Sequence, residues 1–314
     1  MKTVDAAAAD KAHLSITVII LTFNEEIHIE RCIACIMPLA ERIIIVDSFS
    51  TDRTIEIARK MGAEVVQRAF KHQADQFQWA QENCNIATDW VLRLDADEYL
   101  EAPLISAIRS GATLWRSDVA AVNFRLKVIF RERWIRFGGY YSTILTRMWR
   151  TGAGIYEQRW MDEKVVITHG RILELRGGDL VDHNLQDIDW WTAKHNRYAT
   201  RQMVDFINRE YELYSIDEGV DTKAHAQARW KRFLRNRIFA RAPIYIRSVL
   251  YFIYRYLLRG GFLDGKQGFV WHFLQGFWFF VLTDAKIDEA RSFIRRNGRD
   301  AFRERLRTHY KIEI

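Results

Sequence analysis

At 314 residues, of which 49% are hydrophobic, the chain has the apolar content for a large packed core, which excludes a disordered or low-complexity protein. Its net charge of +7 is unevenly spread: from residue 223 onward there are 20 Lys and Arg against 7 Asp and Glu, so the front of the chain is mildly acidic and the tail strongly basic. Three cysteines, Cys32, Cys35 and Cys84, exclude a disulfide framework, and the C-x-x-C has no second pair to complete a zinc site; they read as thiols packed on a sheet.

Residues 1–14 form an Ala-rich polar tail without an apolar signal region, so a cytoplasmic protein is expected. Residues 16–21 are a continuous apolar, β-branched run, the pattern of a buried parallel strand ending at Thr22. A helix over 25–39 places Ile29, Ile33 and Ile36 on one face and stops at Pro38. A strand over 42–46, a helix over 52–61 closed by Gly62 and a strand over 64–67 complete a βαβαβ rhythm, which predicts a parallel, Rossmann-like sheet with right-handed crossovers. A helix over 70–86 turns Ala74, Phe77, Ala80 and Cys84 inward and Gln73, Gln76 and Gln81 outward. No G-x-G-x-x-G follows the first strand, which argues against a dinucleotide-dependent dehydrogenase.

The strand over 90–94 ends abruptly in Asp95-Ala96-Asp97-Glu98. Ligands of open α/β sheets bind at the carboxyl ends of strands, and two carboxylates one residue apart suit a divalent cation and, through it, a diphosphate; the bland alternative is a solvated acidic turn. Further strands are expected over 120–130, 146–150 and 165–168, with a Gly- and aromatic-rich loop at 134–141. Asp162 and Glu163 precede the strand at 165, Asp182 and His183 follow Gly177-Gly178, and a helix carries Lys194 and Arg197.

Around Asp95-Ala96-Asp97 the chain resembles the inverting glycosyltransferases of family 2, as do the strand ends Thr22-Phe23-Asn24-Glu25-Glu26 and Val46-Asp47-Ser48 upstream. The resemblance is strong over 15–100 and weak beyond about 200. It implies a GT-A fold, a mixed Rossmann-like sheet flanked by helices over 15–222, with a C-terminal helical, basic-aromatic extension over 223–314. It further implies a nucleotide-sugar donor, UDP-sugar favoured, bordered by Thr22, Asn24, Glu25, Asp47 and Asp95. Mg²⁺ or Mn²⁺ would be held by Asp95 and Asp97 with His183 as a third ligand, and Lys194 or Arg197 would neutralise the leaving diphosphate. Glu163 is the expected general base, with Asp162 as fallback, because attack by an acceptor hydroxyl needs a proton acceptor. The family often carries a Gln-Lys-Asn near residue 78, which this chain lacks; Asp75 and Gln76 are substitutes at most.

The tail alternates basic residues with apolar ones over 229–259 and has an aromatic run over 269–282. Each apolar stretch falls short of the ~20 residues that span a bilayer, so peripheral contact with the inner membrane face is expected, against packing within the chain or in a homo-oligomer. The linking Asp264-Gly265-Lys266-Gln267-Gly268-Phe269 resembles a segment of lipopolysaccharide-core members of the family. The expected acceptor is a glycan or a polyprenyl-diphosphate-linked sugar of bacterial surface polysaccharide synthesis, with no nucleic-acid partner. Nucleotidyl transfer is the rival chemistry, but it calls for a Gly-rich basic loop after the first strand. A non-catalytic membrane-binding adaptor would leave the three acidic strand ends without a role.

Overall fold

The computed structural model describes residues 14–111, 117–141, 143–157, 165–214 and 243–312. Strands β1 (Ile16–Thr22), β2 (Arg42–Asp47), β3 (Glu64–Gln67) and β4 (Trp90–Asp95) form the parallel half of a ten-stranded sheet. Their side chains alternate between two cores, as a sheet covered on both faces requires. Val18, Ile20 and Leu92 meet helices α1 (Ile29–Ile36) and α2 (Thr54–Lys60), whereas Ile19, Ile44 and Val91 meet α3 (Gln73–Asn83). Gln76 belongs to this interior: it is fully buried, donating to Ser48 Oγ at 3.0 Å and to the Arg68 carbonyl at 3.2 Å, so α3 turns a glutamine inward where the pattern placed it outward.

After β5 (Glu98–Leu100) and α4 (Ala102–Gly111), the sheet gains β6 (Val119–Phe130), its short partner β7 (Arg133–Trp134) and β8 (Thr143–Arg150). A separate hairpin is made by β9 (Gly154–Tyr156) and β10 (Val165–Ile167), and β11 (Arg171–Glu174) and β12 (Leu180–His183) return to β6. The strand order is β3-β2-β1-β4-β8-β6-β12-β5, with β8 antiparallel to both its neighbours. The chain leaves β1 toward β2 on one side and returns as β4 on the other, which is the switch point where α/β sheets bind ligands.

Helix α5 (Ile188–Tyr211) starts at Asp187, whose carboxylate accepts the Trp190 amide at 2.8 Å. Beyond it, α6 (Ile246–Ile253), a π-turn at Tyr254–Leu258, a 3₁₀ turn at Gly261–Asp264, α7 (Gly265–Phe273), a second π-turn at Leu274–Trp278, α8 (Phe279–Asn297) and α9 (Arg299–Thr308) complete the helical extension. Met203, Val204 and Ile207 of α5 share a core with Ile287 and Ile294 of α8 and Phe302 and Leu306 of α9. Of the aromatic run over 269–282, Trp271 and Phe279 are buried while Phe269 and Phe273 are exposed. The expected boundary at 222/223 lies outside the described residues. Cys32 and Cys84 are buried and Cys35 half-buried, all free thiols. Among the described residues no helix is long and apolar enough to cross a membrane.

Candidate active site

Register places the chemistry. Thr22 lies beside Asp47 and Leu21 beside Asp95, so the exits of β1, β2 and β4 share one edge of the sheet. The loops that follow are laced together there. Asp47 is fully buried and accepts from Thr22 Oγ1 at 2.9 Å, the Ser50 amide at 2.8 Å, Ser50 Oγ at 2.5 Å and Gln67 Nε2 at 3.2 Å. Asn24, with a positive φ of 55°, accepts the Thr51 amide at 2.8 Å, and the Asn24 amide donates to Ser50 Oγ at 2.8 Å. Thr22, Asn24 and Asp47 therefore build the wall between two loops, and a base reaching Asp47 would have to displace partners it already has. Phe23 and Phe49, 58% and 54% exposed, stand on the same two loops and offer ring faces for stacking.

A cleft of about 900 Å³ opens at this edge. At one end it is lined by Glu25, Arg93, Asp95, Asp97, Asp182 and Lys194. The Asp95–Glu98 turn is held from several sides. Glu98, buried, accepts the Asp95 amide at 2.9 Å and Arg147 Nη2 at 2.5 Å, while the His183 amide donates to the Asp97 carbonyl at 3.1 Å. Burial raises the Asp95 carboxyl, but Arg93 and Arg147, at 3.4 and 3.5 Å, more than offset this and hold it below the usual carboxylate range. Arg93 is itself clamped over the Phe77 ring, 4.2 Å from its centroid, and bonded to the Tyr156 hydroxyl. Burial pushes Glu98 up to about 8, and burial together with the nearby Asp97 charge pushes Asp182 up to about 7.

Opposite them, Lys194 Nζ lies 3.7 Å from Asp97 Oδ2, and Asn184 Nδ2 donates to the same oxygen at 2.9 Å. Burial disfavours the Lys194 charge, yet Tyr198, Asp97 and Glu25 keep its pKa above the ordinary lysine value. Burial raises Glu25, whose carboxylate sits 2.6 Å from His28 Nδ1. His28 Nε2 accepts the Leu185 amide at 2.8 Å, which leaves the proton on Nδ1 to be donated to Glu25. The fully buried His28 thus ties the Glu25 carboxylate to the loop after β12 through Leu185.

Two expected residues stand elsewhere. His183 has both ring nitrogens engaged, Nδ1 with Arg31 at 3.3 Å and Nε2 with Glu132 at 3.1 Å, and is not among the residues lining the cleft. The carboxylate of Asp182, one residue earlier on β12, takes the place beside Asp97 because successive strand residues face opposite ways. On α5, Lys194, Tyr198 and Arg201 line the cleft at helical spacing, whereas Arg197 is exposed outside it. Asp162 and Glu163 lie outside the described residues. The sequence signal for Arg93 was a cation inside an otherwise apolar strand; Arg147, in a strand with two threonines and Arg150, and His28 carried no comparable signal.

Asp95, Asp97 and Asp182 supply hard oxygen donors of the kind Mg²⁺ and Mn²⁺ take, and the mutual repulsion that raises Asp182 is what a cation would relieve. Among the described residues no three His, Cys, Asp or Glu side chains are drawn together into a ready-made cage. Beside this charged cluster the cleft is aromatic, formed by Phe130, Trp190 and Trp191 together with Trp271 and Gln275 from the extension, and Trp190 joins the two parts, its ring centroid 4.7 Å from Lys194 Nζ.

A mixed α/β sheet with carboxylates at the exit of its switch-point strands, and cations and aromatic rings lining the same cleft, has the arrangement of a GT-A fold. Residues 17–170, just under half of the chain, match the family model "Glycosyl transferase family 2". An uncharacterized glycosyltransferase of Rickettsia bellii is 40% identical over 89 residues, 28% of this chain and 30% of that protein. The lipopolysaccharide core biosynthesis glycosyltransferase LpsC of Rhizobium meliloti is 26% identical over 196 residues, 60% of this chain and 70% of LpsC. A crystal structure of glucosyl-3-phosphoglycerate synthase from Mycobacterium tuberculosis, in complex with Mn²⁺, UDP and glucosyl-3-phosphoglycerate, is 26% identical with a TM-score of 0.30, covering 38% of this chain and 46% of that one. The chain spans between about a third and a half of the length of the Rickettsia relative and of this synthase.

Proposed function

We propose that the protein transfers a sugar, with inversion, from a nucleotide-diphosphate donor, UDP-sugar favoured, to a glycan or polyprenyl-diphosphate-linked acceptor in bacterial surface polysaccharide synthesis. The observation that carries this reading is the charge pattern of one cleft: Asp95, Asp97 and Asp182 face Lys194 at the exit of β4, a strand within the family 2 match. The similarity to LpsC supports the polysaccharide setting.

The β1 and β2 exit loops, held by Asp47 and Asn24, receive the nucleoside. Lys194, kept charged among carboxylates, and Arg93 meet the diphosphate as negative charge builds on it. Asp95 and Asp97, with Asp182 alongside, would hold Mg²⁺ or Mn²⁺, which when bound would supply Lewis-acid neutralisation of that diphosphate. The acceptor sugar stacks at the aromatic end against Trp190 and Trp271. Its hydroxyl attacks the anomeric carbon from the face opposite the leaving group, and Glu163, or Asp162 in its place, takes the proton.

The test is thermal stabilisation by a panel of nucleotide sugars with and without Mn²⁺, since a ligand that binds the native state at 100 times its Kd stabilises by about 2.7 kcal/mol. Mn²⁺-dependent stabilisation by one UDP-sugar is expected. No stabilisation by any nucleotide sugar under either condition refutes the reading.

A further inference from the structure

The segment from α6 to α7 has its polarity reversed. Arg247, Ser248, Arg255, Asp264 and His272 are each at most 9% exposed, while Leu250, Leu257 and Leu263 are 53–55% exposed and Leu258 75%. The polar groups are inside because the chain partners them there. Arg247 and Ser248 bond the buried Asp284 of α8, Arg255 donates to the Gly138 carbonyl at 2.7 Å and lies 3.5 Å over the Tyr140 ring, and Asp264 accepts the Arg136 and Phe137 amides at 3.1 and 2.9 Å. Gly138, with a φ of +70°, lets its loop close onto the His272 ring where any Cβ would collide. With the polar side anchored, the apolar side has nowhere to turn but outward. A contiguous apolar face of this kind marks an interaction surface.

Charge decides between partners. Among the described residues of 243–278 the exposed charged side chains are Arg259 and Lys266, both basic, and the one acid, Asp264, is buried. The adjoining loop adds Arg133 and Arg136 around the half-exposed Phe137. An apolar centre whose own exposed charges are all basic, with the neighbouring exposed acids Glu132 and Asp288 on other elements, matches an anionic lipid leaflet, where apolar side chains enter the headgroup region and each cation contributes about 1 kcal/mol. A second copy of the same face would set like charges against each other.

We propose that the α6–α7 hairpin is a wedge that docks on an anionic bilayer and sets the aromatic end of the cleft at its surface. Helix α7 links the two: Phe269 and Phe273 are exposed on its outer side, while Trp271 and, one turn on, Gln275 line the cleft. Resting on the glycosyl-transfer reading, this makes the acceptor one whose lipid stays in the leaflet while its sugar enters beside Trp271. The family match ends at residue 170, so this acceptor wall belongs to the extension.

The test is flotation of the full chain with vesicles of phosphatidylglycerol and phosphatidylethanolamine, and with vesicles of phosphatidylcholine alone, for the parent and a Leu258→Glu/Leu263→Glu double variant. Both positions are exposed, so the variant keeps its circular dichroism and melting temperature. The parent floats with anionic vesicles, more weakly with neutral ones, and is only partly released by high salt; the variant loses partition by about tenfold or more. UDP-sugar stabilisation is unchanged in the variant. Failure of the transfer reading appears separately, as absent nucleotide-sugar binding in a protein that still floats. The proposal is overturned if the folded parent stays unbound to anionic vesicles, if the variant floats equally well, or if size-exclusion shows a parent dimer that the variant dissociates, which would make the face a self-association surface.

Discussion

Asp97→Asn tests the cleft most directly. At 3.7 Å from Lys194 the carboxylate contributes an attraction of about 4.5 kcal/mol at an effective dielectric near 20. Its loss is offset by relief of the repulsion that raises Asp182, by retention of other carboxylates near Lys194, and by an amide that still bonds Asn184. The net loss of stability is therefore expected to be well below that attraction, in the range of about 0.5–3 kcal/mol usual for single substitutions, with the fold retained. Binding behaves differently. A neutral amide cannot balance a divalent ion, so Mn²⁺-dependent UDP binding should weaken by about 100-fold or more. Isothermal titration of UDP with and without Mn²⁺, beside urea denaturation of both proteins, reads the two effects apart. Unchanged Mn²⁺ dependence in a folded Asp97→Asn protein refutes the assignment of the ion to this turn.

Glu163→Gln should keep donor affinity and lose about 10²- to 10⁴-fold in transfer rate, because the amide keeps the shape and cannot take a proton; near-parent turnover moves the role to Asp162. Arg147→Met removes the partner of Glu98 in a pair whose side chains are 8% and 4% exposed, and should cost about 3–5 kcal/mol by urea denaturation. Burial lifts the folded Glu98 pKa to about 8, above its unfolded value, and Arg147 keeps it from rising further, so the carboxyl favours the fold when protonated and the variant's deficit should grow as pH rises through 8; a flat profile between pH 7 and 9 would contradict this. His272 has the opposite sign: burial, and then Arg255, lower its pKa to about 4, so the unfolded chain takes the proton first and stability should fall as pH drops from 6.5 toward 4. His195 and His72 shift the same way, so His272→Asn should reduce the slope of that window in a melting-temperature series without removing it, and an unchanged slope would place the titration elsewhere.

The sequence by itself determined the parallel half of the sheet. Runs such as 16–21 and 42–46 are apolar and β-branched throughout, a pattern that burial on both faces selects, and the acidic or Thr-bearing residue ending each run marks its exit. It also determined that Asp95, Asp97 and Glu25 would meet, because parallel strands around a switch point bring their exits together. Tertiary structure decided what depends on register and phase between distant elements. Pairing of β12 between β6 and β5 put Asp182 in the cleft while His183 bonded Arg31 and Glu132, and the roll of α5 chose Lys194 and Arg201 over Arg197. Asp47 reads as an available carboxylate until the fold surrounds it with Thr22, Ser50 and Gln67. The hairpin makes the same point. Alternation of basic and apolar residues over 243–259 defines two faces but not which is outward, because an amphipathic helix can bury either. That choice was made by Asp284, Tyr140 and the Gly138 carbonyl, which meet Arg247 and Arg255 inside and leave the leucines at the surface.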